Sequence, residues 1–224
     1  MSIIHDMEQG TPEWLAARLG IPTASEFHKI ITAVKGDLSK SARKYAHQLV
    51  AETLLGEPLD TGLGNLEWIA RGKLLEPLAV QQYEATTGTE TRAVGFITTN
   101  DGRVGCSPDR LIGQRGGLEI KCPAPLTHMG YLIDGPGDDY KQQVQGQLAV
   151  AELEWVDLYS FHPDLPPAKI RTYRDEPYIA KMSVALAEFL DMRDAMLAKA
   201  TADGWQPRDR TTQPATFGAI RLVA

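Results

Sequence analysis

Residues 105–123 read GCSPDRLIGQRGGLEIKCP, and this stretch predicts the centre of the fold. Two short apolar runs flank a glycine-rich loop at 113–117, a pattern that indicates a β-hairpin. Side chains alternate between the two faces of a strand, so Glu119 and Lys121 are expected to point the same way. If the hairpin register pairs odd positions with odd ones, Asp109 joins them on that face.

Two carboxylates beside an ammonium suit metal-assisted chemistry on phosphate. Hard divalent cations such as Mg²⁺ take oxygen ligands, commonly one or two carboxylates with water and phosphate. Asp109 and Glu119 supply such oxygens, and the backbone carbonyl of Ile120 could add another. Lys121 could orient or deprotonate a water and offset developing negative charge. The alternative is an ordinary surface hairpin, but the preceding Pro108-Asp109 and its apolar flanks favour the functional interpretation.

Length and composition indicate a globular chain. Its 224 residues are 43% hydrophobic and 23% charged, enough for one domain with a substantial core. The sequence shows neither a bilayer-spanning stretch nor a signal-peptide pattern, which predicts a cytoplasmic location without membrane partners. Cys106 and Cys122 are too few for a four-thiolate zinc or iron–sulfur site. They are expected to be reduced packing residues, with a disulfide across the hairpin as the alternative.

Residues 8–26, EQGTPEWLAARLGIPTASE, contain the starts of two predicted helices. The second start, Thr23–Glu26, has the sequence of a capping box leading into FHKIITAV. Because a helix N-terminus favours anions, Arg18 and Ser25 are candidates to frame a phosphate pocket. Trp14 lies four residues before Arg18 and shares its helix face. The alternative is that Ser25 only caps the helix and Arg18 is a surface residue.

The remaining pattern alternates helices and strands. The helix that follows the basic stretch at 33–44 is predicted to end near Leu55. The helix predicted at 65–87 is expected to be interrupted at Pro77, because proline removes a backbone hydrogen-bond donor. Strands are predicted where short β-rich runs lie between turn residues. The predicted helices lie at 11–19, 65–87, 125–133, 138–152 and 177–200, and the predicted strands within 90–99, 155–161 and 168–173.

The pattern Pro108-Asp109 … Glu119-Ile120-Lys121 resembles the PD-(D/E)xK nuclease superfamily. The motifs at 8–26, RGKLLEP at 71–77, CSPD, LEIKCP and QVQ at 143–145 occur in the order seen in the lambda exonuclease and YqaJ-like viral recombinase family. The resemblance covers roughly the first two-thirds of the chain. It implies an α/β (α+β-like) fold, a central mixed β-sheet flanked by helices with a restriction-endonuclease-like core. The chain would form one nuclease domain, 1–224, with a C-terminal tail from about 201 packing on the domain or on a neighbouring subunit.

The resemblance also implies an activity. It implies an exonuclease dependent on Mg²⁺, or alternatively Mn²⁺, with two ions per site. Such an enzyme degrades one strand of linear double-stranded DNA from 5′-phosphorylated ends and leaves a 3′ overhang for strand annealing. A ring-shaped homotrimer and a single-strand annealing protein are the implied partners. The alternatives are a PD-(D/E)xK endonuclease or junction resolvase, and a non-catalytic DNA-end-binding protein, against which the intact Asp109, Glu119 and Lys121 argue.

Further site residues follow from the family pattern. Glu76 resembles the upstream acidic residue of the family, although here a proline follows it directly. Gln143 matches the glutamine beside the catalytic hairpin, and Arg18 with Ser25 matches the terminal-phosphate pocket. The structural alternatives are a helical pair between Glu76 and Lys73 and a backbone-bonding role for Gln143.

The net charge of −6 is unusual for a protein that binds duplex DNA. Positive charge is therefore expected to be confined to a channel. The stretch 33–44 is the most basic part of the chain, and a solvated loop is the alternative explanation for it. The candidate DNA contacts are Lys35, Lys40, Arg43, Lys44, Trp14 and Lys73.

Overall fold

The computed structural model of the chain describes residues 1–59, 66–202 and 204–206, with the backbone alone at 66–69. Most of the tail predicted from about residue 201 lies outside the described residues. The strands are β1 (Ile3–His5), β2 (Arg92–Ala93), β3 (Phe96–Thr98), β4 (Gly105–Cys106), β5 (Arg110–Ile112), β6 (Gly116–Lys121), β7 (Trp155–Ser160) and β8 (Ala168–Tyr173). The helices are α1 (Pro12–Ala17), α2 (Phe27–Ile30), α3 (Ala42–Leu55), α4 (Leu66–Thr87), α5 (Pro125–Ile133), α6 (Lys141–Val150) and α7 (Glu176–Ala200).

A five-stranded mixed sheet forms the centre of the molecule, in the order β2-β5-β6-β7-β8. Strands β6 and β7 are parallel, and the other neighbours are antiparallel. Parallel strands need a crossover connection, which α5 and α6 supply between β6 and β7. A small antiparallel sheet, β1-β3-β4, lies beside it. The predicted mixed sheet with flanking helices is confirmed.

The central hairpin has the register that brings the acidic residues together. In the β5–β6 pair, Leu111 lies opposite Gly117, so odd positions pair with odd positions. Asp109 immediately precedes β5, and continuing the same register places it opposite Glu119. This is the register under which Asp109 shares a face with Glu119 and Lys121.

The two faces of the sheet pack against different helices. On one face, α4 covers β5, β6 and β7 through a cluster of apolar side chains. On the other face, Leu111 and Val156 join the larger core that α2, α3, α6 and α7 build. Glu119 lies two residues after Gly117, which pairs with Leu111. Its side chain therefore points to the same face as Leu111, toward α6. The α4-side cluster contains Leu75, Ala79, Val80, Tyr83, Ile112, Leu118, Ile120, Tyr159 and Phe161.

Helix α4 runs through Pro77 instead of being interrupted there, so the predicted interruption is wrong. Pro77 lies on the exposed side of the helix. Leu75 before it and Ala79 after it are both buried against the sheet. Burial of apolar side chains on both sides of the proline outweighs the one backbone hydrogen bond that it removes.

Helix α6 begins at Lys141, three residues later than the predicted start at 138. Tyr140 has a left-handed backbone with φ of +63°, which cannot continue a right-handed helix. The acidic residues Asp138 and Asp139 therefore precede the helix instead of forming its first turn. The same backbone conformation places the Tyr140 ring beside Lys121, as described below.

The capping box predicted at Thr23–Glu26 is also wrong. These residues form a 3₁₀ turn before the four-residue helix α2, and the Thr23 side chain makes no capping hydrogen bond. The Thr23 hydroxyl instead accepts a hydrogen bond from Arg18 Nη2 at 3.1 Å. The Arg18 guanidinium thus binds the Thr23 hydroxyl that was predicted to cap the helix.

Candidate active site

The hairpin brings its acidic and basic side chains into one hydrogen-bonded group. Lys121 Nζ lies 2.7 Å from Glu119 Oε1, and Asp109 Oδ2 accepts a hydrogen bond from the backbone N–H of Ile120 at 2.5 Å. The side chain of Lys121 also lies over the Tyr140 ring, 4.6 Å from its centroid. The structure thus places Asp109, Glu119 and Lys121 together, and their proposed catalytic roles stay predictions.

Helix α6 holds the Glu119 carboxylate from the other side. Gln143 Nε2 donates to Glu119 Oε1, and Gln147 Nε2 donates to Glu119 Oε2, both at 2.5 Å. Gln143 Oε1 accepts from Lys121 Nζ at 3.3 Å. The sequence indicated Gln143 but missed Gln147, although their four-residue spacing puts both on one helix face.

The electrostatics of this group favour an added cation. Burial and the neighbouring Glu119 raise the pKa of Asp109 well above its usual range, although Lys121 and the Ile120 N–H act in the opposite direction. Burial alone would lower the pKa of Lys121, but the Glu119 and Asp109 carboxylates raise it above its usual value. Lys121 is therefore an ammonium at neutral pH, and one ammonium does not compensate both carboxylates.

Glu76 approaches the same group from the α4 side of the sheet. It is half-buried and lines a cavity of about 970 Å³ together with Asp109, Arg110, Trp14 and Lys73. Burial raises the pKa of Glu76, and Glu119 adds to the rise while Arg110 opposes it. Glu76 is thus electrostatically linked to Glu119. Lys73 and Trp14, which the sequence proposed as DNA contacts, lie on the wall of this cavity.

Gln9 is a further residue near the site that the sequence analysis did not single out. Its amide nitrogen donates to the backbone carbonyls of Val94 at 2.8 Å and Pro108 at 2.9 Å. Pro108 immediately precedes Asp109, so this bridge fixes the chain where the carboxylate enters the site. The contact joins residues 99 positions apart, and local sequence patterns carry no signal for it.

Arg18, which was predicted to frame a phosphate pocket, is bonded to two hydroxyl groups, and its role in binding phosphate stays a prediction. Its guanidinium donates to Ser107 Oγ and to Thr23 Oγ1, each at 3.1 Å, and stacks on the Trp14 ring 4.0 Å from the centroid. Thr23 Oγ1 in turn lies 3.3 Å from the exposed hydroxyl of Ser25. Burial lowers the pKa of Arg18, although Tyr45 and the carboxylates of Glu26 and Glu52 act in the opposite direction. A desolvated guanidinium beside hydroxyl groups suits an anion.

Of the residues around Arg18, Ser25 shares a cavity with the side chains of the hairpin. This cavity of about 530 Å³ is lined by Ser25, Lys121, Tyr140 and Gln143, among other residues. One space therefore connects the end of the Arg18–Thr23–Ser25 chain with the ammonium of the hairpin.

The basic residues predicted to grip DNA lie elsewhere on the surface. All four are exposed, and none of them lines either cavity that contains Asp109 or Lys121. The structure does not bring them together with the acidic group, so their contact with DNA stays a prediction. These residues are Lys35, Lys40, Arg43 and Lys44.

The donor set fits a hard divalent cation with few protein ligands. Among the residues that the structure describes, no group of three or more His, Cys, Asp or Glu side chains forms a metal site. Asp109 and Glu119 provide two carboxylates, and Glu119 is paired with the Lys121 ammonium. Two carboxylates completed by water and phosphate are a usual set for Mg²⁺ or Mn²⁺.

The two cysteines are free thiols. Cys106 is buried in the larger core, as expected for a packing residue. Cys122 is half-buried at the end of β6, and burial raises its pKa to about 11. The disulfide alternative is wrong.

The part of the sequence that builds the site matches a known family. The family model of the YqaJ-like viral recombinase domain matches residues 13–154, which include the Arg18 pocket, the hairpin and the glutamines of α6. The chain belongs to the YqaJ-like viral recombinase family. A search of curated proteins gave no match. None of the helices that the structure describes has the length and apolar character of a membrane span.

Solved structures support the same assignment. The chain is 32% identical to an alkaline exonuclease, LHK-Exo, from Laribacter hongkongensis, with a TM-score of 0.76 over 86% of this chain and 97% of that one. The complex of LHK-Exo with dAMP gives a TM-score of 0.77 at the same identity and coverage. A phage-related exonuclease from Haemophilus somnus 129PT shares the fold at 16% identity, with a TM-score of 0.64 over 80% of this chain and 96% of that chain. The predicted restriction-endonuclease-like core is confirmed.

Proposed function

We propose that this protein is a divalent-metal-dependent exonuclease that degrades one strand of linear double-stranded DNA from 5′-phosphorylated ends. The product would be a 3′ single strand for recombination by annealing. The observation that carries the proposal is the cavity that Lys121 shares with Ser25, whose hydroxyl is linked through Thr23 to the Arg18 guanidinium. Family membership and likeness to an alkaline exonuclease support it.

Asp109 and Glu119 would hold the metal, with the Ile120 carbonyl as a further oxygen. A bound Mg²⁺ or Mn²⁺, as one or two ions, would supply charge neutralisation at the phosphate and a more acidic water. The relative LHK-Exo binds dAMP, a nucleoside monophosphate of the kind that an exonuclease releases. Glu76 would help to hold metal or water from the cavity wall that it shares with Asp109.

Lys121 would act as a fixed positive charge near the reacting phosphate. Its ammonium is held by Glu119 Oε1, by Gln143 Oε1 and by the Tyr140 ring. Three contacts restrict its position and therefore favour a preorganised role in orienting water and offsetting negative charge. Gln143 would keep both Lys121 and Glu119 in place.

The Arg18 pocket would select the DNA end. A terminal 5′-phosphate carries more charge than a phosphodiester and would bind the guanidinium together with the Ser25 hydroxyl. A closed circle offers no such group. This arrangement favours an exonuclease over an endonuclease or junction resolvase.

Two further elements of the proposal, a homotrimeric ring and a single-strand annealing protein as partner, rest on the family resemblance alone. One catalytic domain and a cytoplasmic location are carried over from the sequence analysis. Light scattering would test the ring, because a trimer has three times the monomer mass of 24.6 kDa.

The decisive experiment compares linear duplexes bearing 5′-phosphate or 5′-hydroxyl ends with closed circular DNA, each with Mg²⁺ or EDTA. Wild type is expected to digest one strand of linear DNA, faster from phosphorylated ends, and to leave circles intact. Lys121→Ala is expected to lower kcat by about 10²–10⁴-fold. Lys199→Ala, on the exposed last turn of α7, is the matched control and should behave as wild type. Cleavage of circles would favour the endonuclease, and end binding without metal-dependent cleavage in wild type would favour the non-catalytic alternative.

A further inference from the structure

Helix α6 carries four glutamines, and two of them serve only to attach the helix. Gln145 donates to the backbone carbonyl of Tyr173 at 2.9 Å and accepts from the backbone N–H of Asp175 at 2.9 Å. Gln142 donates to the backbone carbonyl of Ile31 at 3.2 Å. These contacts anchor α6 to the end of β8, to the residue that precedes α7 and to the chain after α2.

Gln147 is bonded differently. It is 1% exposed, and its amide nitrogen donates to Glu119 Oε2 at 2.5 Å. Its own carbonyl oxygen is buried and has no hydrogen-bond partner within the described residues. An ionised carboxylate only accepts hydrogen bonds, so the amide nitrogen must face Glu119. A glutamine with a purely structural role would satisfy both ends, as Gln145 does, because an unpaired buried acceptor is destabilising.

The hydrogen bonds at Glu119 distinguish its two oxygens. Oε1 accepts from both Lys121 Nζ and Gln143 Nε2, whereas Oε2 accepts from Gln147 alone. Each carboxylate oxygen has about two acceptor positions. Within the described residues, Oε1 is therefore fully used, and Oε2 retains one position.

We propose that Gln147 is a positioning residue that orients Glu119 so that Oε2 is the oxygen offered to the divalent cation. The inference rests on the proposed metal-dependent function. Each glutamine would hold one oxygen of the Glu119 carboxylate. Gln143 would hold Oε1, which also bonds Lys121, and Gln147 would hold Oε2, which would bind the metal. Loss of a group that orients a metal ligand typically weakens metal binding or activity by about 10–100-fold.

The test compares Gln147→Met with Gln145→Met in the full-length chain without DNA. Binding of Mn²⁺ is measured from the electron paramagnetic resonance signal of the free ion, and thermal melts are recorded with and without Mn²⁺. Gln147→Met is expected to weaken Mn²⁺ binding by about 10–100-fold and to reduce the metal-induced rise in Tm accordingly. Gln145→Met is expected to leave Mn²⁺ affinity unchanged while lowering the Tm, because it loses two backbone contacts.

The outcomes separate the inference from the proposed function. If wild type itself does not bind Mn²⁺, the metal-dependent function is wrong. If wild type binds Mn²⁺ and Gln147→Met binds it equally well, only the role of Gln147 is wrong. If Gln147→Met shows no cooperative melt, Gln147→Asn takes its place under the same criterion, because it keeps the amide but is one methylene too short to reach Glu119. The role is also wrong if Gln145→Met weakens Mn²⁺ binding as much as Gln147→Met does.

Discussion

Single side chains that bond to the backbone set the position of the Asp109 carboxylate. Gln9 uses both hydrogens of its amide on the carbonyls of Val94 and Pro108, directly before the aspartate. The Ile120 N–H then fixes one oxygen of the carboxylate itself. The site is therefore built from residues distant in sequence, and Asp109 depends on an N-terminal segment that carries none of the proposed ligands.

Replacement of Gln9 by methionine should show this dependence. Gln9→Met keeps the length of the side chain but removes two hydrogen bonds, so the free energy of unfolding is expected to fall by about 1–3 kcal/mol. We expect kcat to fall while the KM for DNA stays unchanged, because Gln9 would act through Asp109. Urea unfolding and steady-state digestion measure the two effects. Gln114→Met, in the exposed hairpin loop, is the control, and a fall in stability without any fall in kcat would contradict the positioning role.

Arg18 should determine the preference for phosphorylated ends. Arg18→Lys keeps the positive charge but loses the planar fork that bonds Ser107 and Thr23 together. Charge-assisted hydrogen bonds contribute about 1.5–3 kcal/mol, so the rate ratio between 5′-phosphate and 5′-hydroxyl ends is expected to fall by about 10–100-fold. Initial rates on the two linear duplexes give this ratio. An unchanged ratio would mean that the terminal phosphate binds elsewhere.

The sequence predicted the parts of the site that depend on local alternation. The period of two along β6 placed Glu119 and Lys121 on one face, and Asp109 joins them because odd positions pair with odd positions in the hairpin. Gln147 was missed although it shares a helix face with Gln143, because its contact with Glu119 depends on how α6 packs on the sheet. The capping box failed for a related reason, since Arg18 captured the Thr23 hydroxyl. Patterns within an element were predictable, whereas competition between elements for a polar group was not.

At the scale of elements, α6 must approach α2 closely to bring its glutamines to the sheet. Gly146 makes this approach, because a Cβ there would lie 2.6 Å from Phe27 Cδ2 and 3.1 Å from Ala24 Cβ. Both neighbours are buried in the larger core and cannot move freely. The glycine lies between Gln145 and Gln147, so its replacement would displace the face that holds Glu119.

Gly146→Ala is therefore expected to lower both stability and activity. Overpacking of this kind typically costs about 1–3 kcal/mol. Gly130 is a matched control within α5, because a Cβ there meets nothing within 4 Å. Gly130→Ala should stabilise the protein by about 0.4–1 kcal/mol through the unfolded chain and leave digestion unchanged. Chemical unfolding of both variants tests the packing argument, which fails if they change stability in the same direction.

At the scale of the whole molecule, one buried charge ties α4 to two strands of the sheet. Asp157 on β7 is fully buried and accepts two hydrogen bonds from Arg171 on β8, at 2.7 and 2.9 Å. The hydroxyl of Tyr83 on α4 donates to the same carboxylate at 2.7 Å. The Arg171 guanidinium also stacks on the Trp155 ring, 3.6 Å from its centroid. This network lies on the α4 side of the sheet, opposite the face that holds Glu119.

The contribution of this network to stability should be visible in how the free energy of unfolding changes at acid pH. Burial acts to raise the pKa of Asp157, but the hydrogen bonds from Arg171 and Tyr83 hold it below its usual value. As pH falls, the unfolded chain therefore takes up the proton first. The contribution of Asp157 to stability is present above the unfolded pKa of about 3.9 and is lost as pH falls through the lower folded pKa.

Asp157→Asn should remove this part of the pH dependence. The free energy of unfolding at neutral pH is expected to fall by about 1–3 kcal/mol, because Arg171 and Tyr83 lose a charged acceptor. Between about pH 4 and pH 3, the free energy of unfolding of the variant should depend less steeply on pH than that of wild type. The reason is that the unfolded variant no longer takes up a proton at residue 157. Asp134→Asn, at an exposed carboxylate, is the control and should keep the wild-type slope. Urea unfolding across this pH range measures both quantities, and equal slopes in wild type and Asp157→Asn would show that other carboxylates govern acid unfolding.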